Sequence, residues 1–103
     1  MDSVVHQDGD PVIRLFAALA HPMRASIVHR LISGPADVGA LVELLRSSQP
    51  LVSHHLRILR DTHLVEGTRD GRRIEYQLVD EHVAHIFLDA YTHTKEHSHD
   101  CDH

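Results

Sequence analysis

Up to His63 the apolar residues of this chain recur at helical spacing, and from Leu64 they alternate: LVEGT, then IEYQLV, on either side of RDGRR. Alternation over five or six residues around Asp70-Gly71 is the pattern of a two-stranded hairpin, because successive strand side chains point to opposite faces and Asp-Gly tolerates the backbone of a tight turn. The hairpin tip carries Arg69, Arg72 and Arg73. A chain that ends a run of helices in one short basic hairpin has few ways to fold.

The helices ahead of it are punctuated clearly. Asp10-Pro11 sets an acid at a cap and Pro at the first helical position, followed by Val12, Leu15, Phe16 and Leu19 at helical spacing. His21-Pro22 starts a second helix with Met23, Ile27, Val28, Leu31 and Ile32 as its apolar stripe, ended by Ser33-Gly34-Pro35. Asp37 is placed to cap a third, in which Val38, Leu41, Leu44 and Leu45 face inward. After Ser47-Ser48 a fourth runs from Gln49 through PLVSHHLRILRDTH, with Leu51, Val52, His55, Leu56 and Leu59 on or near one face. Beyond the hairpin, Asp80 caps a last amphipathic helix, EHVAHIFLDAYTHTKEH, and HSHDCDH reads as a frayed end. The predicted fold is mainly α with a small β-hairpin, a winged helix-turn-helix whose third and fourth helices form the turn-helix pair and whose hairpin is the wing.

With 103 residues, 42% of them hydrophobic, the chain suffices for one domain with a modest core, and a partner subunit is the natural way to bury more apolar surface. We therefore expect a homodimer with a flexible segment over 1–9, a domain over 10–97 and a flexible His/Asp-rich tail over 98–103. No apolar run approaches the roughly 20 residues that span a bilayer, and MDSVVHQDGD lacks the layout of a secretory signal. These features predict a cytoplasmic protein with no membrane partner. Cys101 is the single cysteine, which excludes an internal disulfide or a cysteine-based zinc ribbon.

The net charge of −5 hides a division. Residues 1–45 carry three Arg against five acids, 46–73 six Arg against three, and 74–103 one Lys against seven. A basic middle between acidic ends suits a local DNA-contacting surface. The fourth helix turns Gln49, Ser53, His54, Arg57 and Arg60 away from its leucines, and Arg72 and Arg73 extend the set onto the wing. Gln, Ser and His can address base edges or phosphates, and Arg can fork onto guanine or grip the backbone. The same residues would also suit a merely solvated face; it is the order helix, turn, helix, basic hairpin that favours double-stranded DNA.

The acidic end holds six of the twelve histidines. Asp80, His82, His93 and Glu96 are oxygen and nitrogen donors suited to a divalent transition metal. His82 and His93 project from nearly one face but lie about 16 Å apart along a helix axis, so one helix cannot bring them to one ion. Two antiparallel copies can, with Asp80 and His82 of one meeting His93 and Glu96 of the other. Val83, Ile86, Phe87, Ala90 and Tyr91 would then pack between the copies. His99 and His103 fit a loose tail, His85 an ion pair with Asp89, and His97 could replace or supplement Glu96.

Taken together, LFAALAHPMRASIVHRL, SSQPLVSHHLRILRDTHLV and DGRRIEYQLVDEHV resemble the opening helices, recognition helix and wing of the ArsR/SmtB family of metal-sensing bacterial repressors. The likeness runs from about Pro11 to Glu96 and includes the SxHLxxLxxxxLV signature at Ser53, His55, Leu56, Leu59, Leu64 and Val65. Asp80-x-His82 followed by His93-x-x-Glu96 resembles the last-helix site of the family's zinc sensors. The resemblance implies a homodimeric repressor whose metal-free form binds an operator and whose metal-bound form releases it. The cysteine-rich segment of the family's soft-metal sensors is absent, ADVGALVELL standing in its place. Four ligands of this type favour tetrahedral Zn(II); six, recruiting His97, His99 or His6, would favour Ni(II) or Co(II). A winged-helix DNA binder answering to thiol oxidation at Cys101 or to a partner protein is the first alternative. An enzyme is not expected, since the chain offers no nucleophile with an oxyanion-stabilising partner set.

Overall fold

The structure, a computed structural model, describes residues 4–98; the expectations placed on His99, Cys101 and His103 lie outside that range. Five helices and three strands follow one another as α1 (Pro11–Leu19), α2 (Pro22–Ile32), β1 (Ala36–Asp37), α3 (Val38–Leu45), α4 (Gln49–Asp61), β2 (Val65–Asp70), β3 (Arg73–Leu78) and α5 (Glu81–Ser98). Helix starts follow local chemistry. Asp37 Oδ1 accepts from Ala40 N at 2.9 Å, Ser48 Oγ from Leu51 N at 3.3 Å and Asp80 Oδ1 from Val83 N at 3.2 Å, each satisfying an amide that the first helical turn leaves unpaired.

Asp10 departs from the expected cap. It occupies the cap position of α1 without a capping bond, because its Oδ2 instead accepts from the Gln7 amide at 3.0 Å and faces His6 Nδ1 at 3.1 Å. In α2 the cap is His21, whose Nδ1 accepts from Met23 N at 3.1 Å.

The hairpin is present with its turn shifted by one residue. Asp70 pairs with Arg73, leaving Gly71 and Arg72 as the two loop residues. Gly71 has φ +66 while Arg72 keeps a negative φ, the pattern of a type II′ rather than a type I′ turn. A third strand has no counterpart in the sequence pattern: Ala36 and Asp37 pair antiparallel with Tyr76 and Glu75, so the sheet has the order β1-β3-β2. Two residues carry too little alternation to announce a strand.

Ile27, Val28, Leu41, Val52, Leu56, Leu59 and Leu64 are the fully buried side chains, joined in one core by Ala18, Leu31, Ala36, Val65, Tyr76 and Val83. Removing a side chain of this kind costs about 2–5 kcal/mol. Leu44, expected inward, is 53% exposed, and Phe16 on α1 is 54% exposed. Val83 is buried within the same protomer, and Phe87 packs against that core, so these two are committed to the α2–α5 contact rather than left for a second copy. There His29 sits 4.9 Å from the Tyr91 ring and 5.2 Å from Phe87, centroid to centroid. From Asp89 to Ser98 every residue of α5 is exposed. Among the described residues no helix is long and apolar enough to cross a membrane.

Candidate nucleic-acid interface and metal-ligand set

Helices α3 and α4 are joined by three residues, Arg46 to Ser48. Arg46 turns the chain in the left-handed region at φ 52, which ends α3 and sends α4 off in a new direction. The buried face of α4, Val52, His55, Leu56 and Leu59, fixes its rotation. At 100° per residue, Gln49, Ser53, Arg57 and Arg60 then form one outward stripe, and all four are exposed, as is His54.

The wing stands beside the start of that stripe. Gln49 and Ser53 share a cleft of about 380 Å³ with Asp37, Gly39, Arg72, Arg73 and Tyr76, which brings four of the seven expected DNA-contacting residues together. Arg57 and Arg60 lie farther along α4. His54 points elsewhere, its ring edge-on to His55 at 5.2 Å. The two wing arginines differ: Arg72 is exposed at the turn, whereas Arg73 is held by Asp37 (Nε to Oδ2, 3.4 Å) and Glu75 (Nη2 to Oε2, 3.2 Å). Arg69 donates to the carbonyl of Gly71 at 3.5 Å.

The metal-ligand candidates sit at the two ends of α5. Asp80 caps the helix through one oxygen, and His82, His93 and Glu96 are exposed. Among the described residues, no three His, Cys, Asp or Glu side chains lie close enough to hold an ion. The donor set has the chemistry of a zinc site, but within one protomer the two pairs are separated by 11 residues of helix, about 16 Å. The His97 ring lies tilted against that of His93, 4.5 Å between centroids, while His6 is engaged with Asp10. His85 makes no ion pair with Asp89: both are exposed, and among the described residues the ion pairs are His6–Asp10, Arg73–Asp37 and Arg73–Glu75.

Two participants were not foreseen. Asp37, placed by the sequence as a cap, also holds the wing. Arg24 donates from Nε to the Ala18 carbonyl at 2.7 Å and from Nη1 to His55 Nδ1 at 3.2 Å. A contact between residues 31 apart leaves no trace in a local pattern.

A turn-helix pair whose second helix exposes a polar and basic stripe, flanked by an arginine-bearing hairpin, defines a winged helix-turn-helix regulator fold. The winged helix-turn-helix domain of Mb0332 from Mycobacterium bovis, described as a homodimer and as a possible ArsR-family transcriptional regulator, superposes with a TM-score of 0.82 at 29% identity, over 92% of this chain and 93% of that one. Residues 21–66 match the model of the bacterial regulatory protein, arsR family. The HTH-type transcriptional repressor SmtB of Mycobacterium tuberculosis is 46% identical over 84% of this chain and 64% of its own length. The HTH-type transcriptional regulator NmtR of the same species is 46% identical over 80% of this chain and 68% of its own. This chain belongs to the ArsR family of bacterial regulatory proteins. It spans a little under two thirds of the length of the SmtB relative.

Proposed function

We propose that the protein is a cytoplasmic, metal-responsive transcriptional repressor. Its metal-free homodimer binds double-stranded operator DNA through Gln49, Ser53, His54, Arg57, Arg60, Arg72 and Arg73. Zn(II), held by Asp80 and His82 of one protomer and His93 and Glu96 of the other, promotes release and so derepresses metal-homeostasis genes. The observation that carries the reading is the split donor set of α5: two pairs of metal-binding side chains at opposite ends of one helix, which two antiparallel copies would complete twice. Apolar side chains left exposed, Val12 and Phe16 on α1 and Tyr91 on α5, favour burial against a second copy.

Bound zinc would supply a cationic link between the donor residues of the two protomers. The protein's own residues do the rest. Gln49 and Ser53 read base edges from the cleft beside the wing, while Arg57, Arg60 and Arg72 neutralise phosphate. Release requires the ion to favour a dimer shape that binds DNA less well, since a ligand shifts an equilibrium only by its differential affinity for the two states. The closeness of His97 to His93, 4.5 Å between ring centroids, supports a second reading, a six-coordinate Ni(II) or Co(II) site.

Chelator-treated protein, titrated into a fluorescent duplex selected in vitro from a random pool, should bind, and added zinc should weaken that binding by about 5- to 150-fold. Affinity that answers to nickel or cobalt but not to zinc would favour the second reading, and affinity indifferent to all three would point to a winged-helix regulator with another signal.

A further inference from the structure

His55 is the one buried polar side chain in the core-facing surface of α4. Its surroundings are cationic or titratable on each side that carries charge. Arg24 of α2 donates to its Nδ1 at 3.2 Å; the ring of His21, the cap of α2, lies 4.6 Å away; and His54, its neighbour on α4, approaches edge-on at 5.2 Å. Helix α3 and strand β2 also pack on α4, and among the described residues neither sets an ionisable group against His55. Among the described residues no carboxylate is paired with any member of the cluster.

The hydrogen bonds fix which protonation state fits. A guanidinium only donates, so Nδ1 of His55 is an acceptor and the ring proton sits on Nε2. His21 is constrained in the same way, because its Nδ1 accepts the Met23 amide. A further proton on either ring must therefore go to Nδ1. On His55 it breaks the bond to Arg24 and sets two cations against each other; on His21 it breaks the cap of α2. Burial above all, then His21, Arg24 and His54, hold the His55 imidazole below its ordinary value of 6.5.

Arg24 also donates to the Ala18 carbonyl of α1, so one guanidinium joins the end of α1, the start of α2 and the middle of α4. We propose that Arg24 is a positioning residue for DNA reading: through neutral His55 it fixes α4 against the α1–α2 corner, and acidification releases that helix and weakens DNA binding with no metal involved. The inference rests on α4 being the DNA-reading helix. It sets a proton beside the metal as a second input to the same surface.

The direction of the effect is diagnostic. Exposed histidines that gain charge on acidification would strengthen binding to a polyanion, so a loss of affinity requires an opposing device. With chelator present at fixed ionic strength, the native chain is titrated into the selected duplex from about pH 7.5 to about pH 5.5, and affinity is expected to fall about tenfold. Imidazole nitrogen shifts recorded by NMR over the same range should place the fall at protonation of His55, with helical circular dichroism retained.

Arg24→Lys, which keeps the charge but cannot reach both Ala18 and His55, should bind more weakly at the upper pH and show a flatter profile. Its salt dependence should match that of the native chain, because Arg24 is not a phosphate contact. If that variant does not fold, the native profile decides alone. Affinity that stays constant or rises on acidification overturns the proposal, as does a fall out of step with the His55 ring or one accompanied by global unfolding. Selection of a duplex followed by a flat profile removes only the role of Arg24 and His55; failure to select any duplex removes DNA reading by α4 as well.

Discussion

Asp37 divides its carboxylate between two elements: Oδ1 accepts the Ala40 amide at 2.9 Å and caps α3, while Oδ2 lies 3.4 Å from Nε of Arg73 on the wing. One side chain thus sets both the start of the turn-helix pair and the position of the wing beside it. The two roles separate by mutation. Asp37→Asn keeps an oxygen for the cap and should cost under about 1 kcal/mol, since Arg73 is largely exposed and its ion pair is screened. Asp37→Ala loses the cap as well, for a total of about 1–2 kcal/mol. Urea unfolding of the two variants measures the difference; equal losses would show that the cap contributes nothing.

The residues of α4 should separate by what they touch on DNA. Arg57→Ala should weaken binding to all duplexes and reduce the salt slope by about one, the signature of a lost phosphate contact. Gln49→Ala, in the cleft beside the wing, should relax sequence preference at one position by about 1–3 kcal/mol. Competition between matched and single-mismatch duplexes separates the two, and a sequence-specific effect at Arg57 with none at Gln49 would reverse their roles.

Helix α4 ends in a left-handed residue that is not glycine. His63 has φ 61, its amide donates to the Arg60 carbonyl at 3.0 Å, and the Leu64 amide donates to the Leu59 carbonyl at 2.9 Å. This is the paired bonding of a Schellman cap, with buried Leu64 against buried Leu59. His63→Gly should therefore stabilise the domain by about 0.5–1 kcal/mol, because the left-handed conformation costs an L-residue more than glycine loses in chain entropy. A lower urea midpoint for the variant would show that the His63 side chain makes a favourable contact.

Gly67 in β2 lies opposite Tyr76, and a Cβ there would meet Ile74 Cγ2 at 2.9 Å and Tyr76 Cε1 at 3.1 Å. Tyr76 is buried and has little room to give. Gly67→Val is expected to cost about 1–3 kcal/mol in thermal unfolding through overpacking, whereas a Thr68→Val change on the exposed neighbour should be nearly neutral.

Much of this architecture was legible in the sequence because it is written locally. Pro11, Pro22 and Pro50 stand in the first turns of α1, α2 and α4, Asp37 and Asp80 cap where expected, and Gly71 sits in the turn of the hairpin. Features decided by distant partners were not legible. Strand β1 exists because β3 offers Tyr76 and Glu75 as partners; Asp10 gives up its cap to Gln7 and His6; Phe16 and Leu44 fall outside the core of one protomer despite apolar spacing. At the site, periodicity identified the outward face of α4, but nothing local could reveal that Asp37 and Glu75 hold Arg73 or that Arg24 reaches His55.

The proposed metal site joins the two ends of α5 only across two protomers, and complementation tests that arrangement directly. His82→Ala and His93→Ala variants, each alone, should give no intense cobalt(II) ligand-field bands. After subunit exchange in an equal mixture, half of the dimers pair one variant with the other and restore one of their two sites, so about a quarter of the native absorbance should return. A mixture that stays as colourless as its parents, or a His82→Ala variant whose spectrum matches the native chain, would contradict the account.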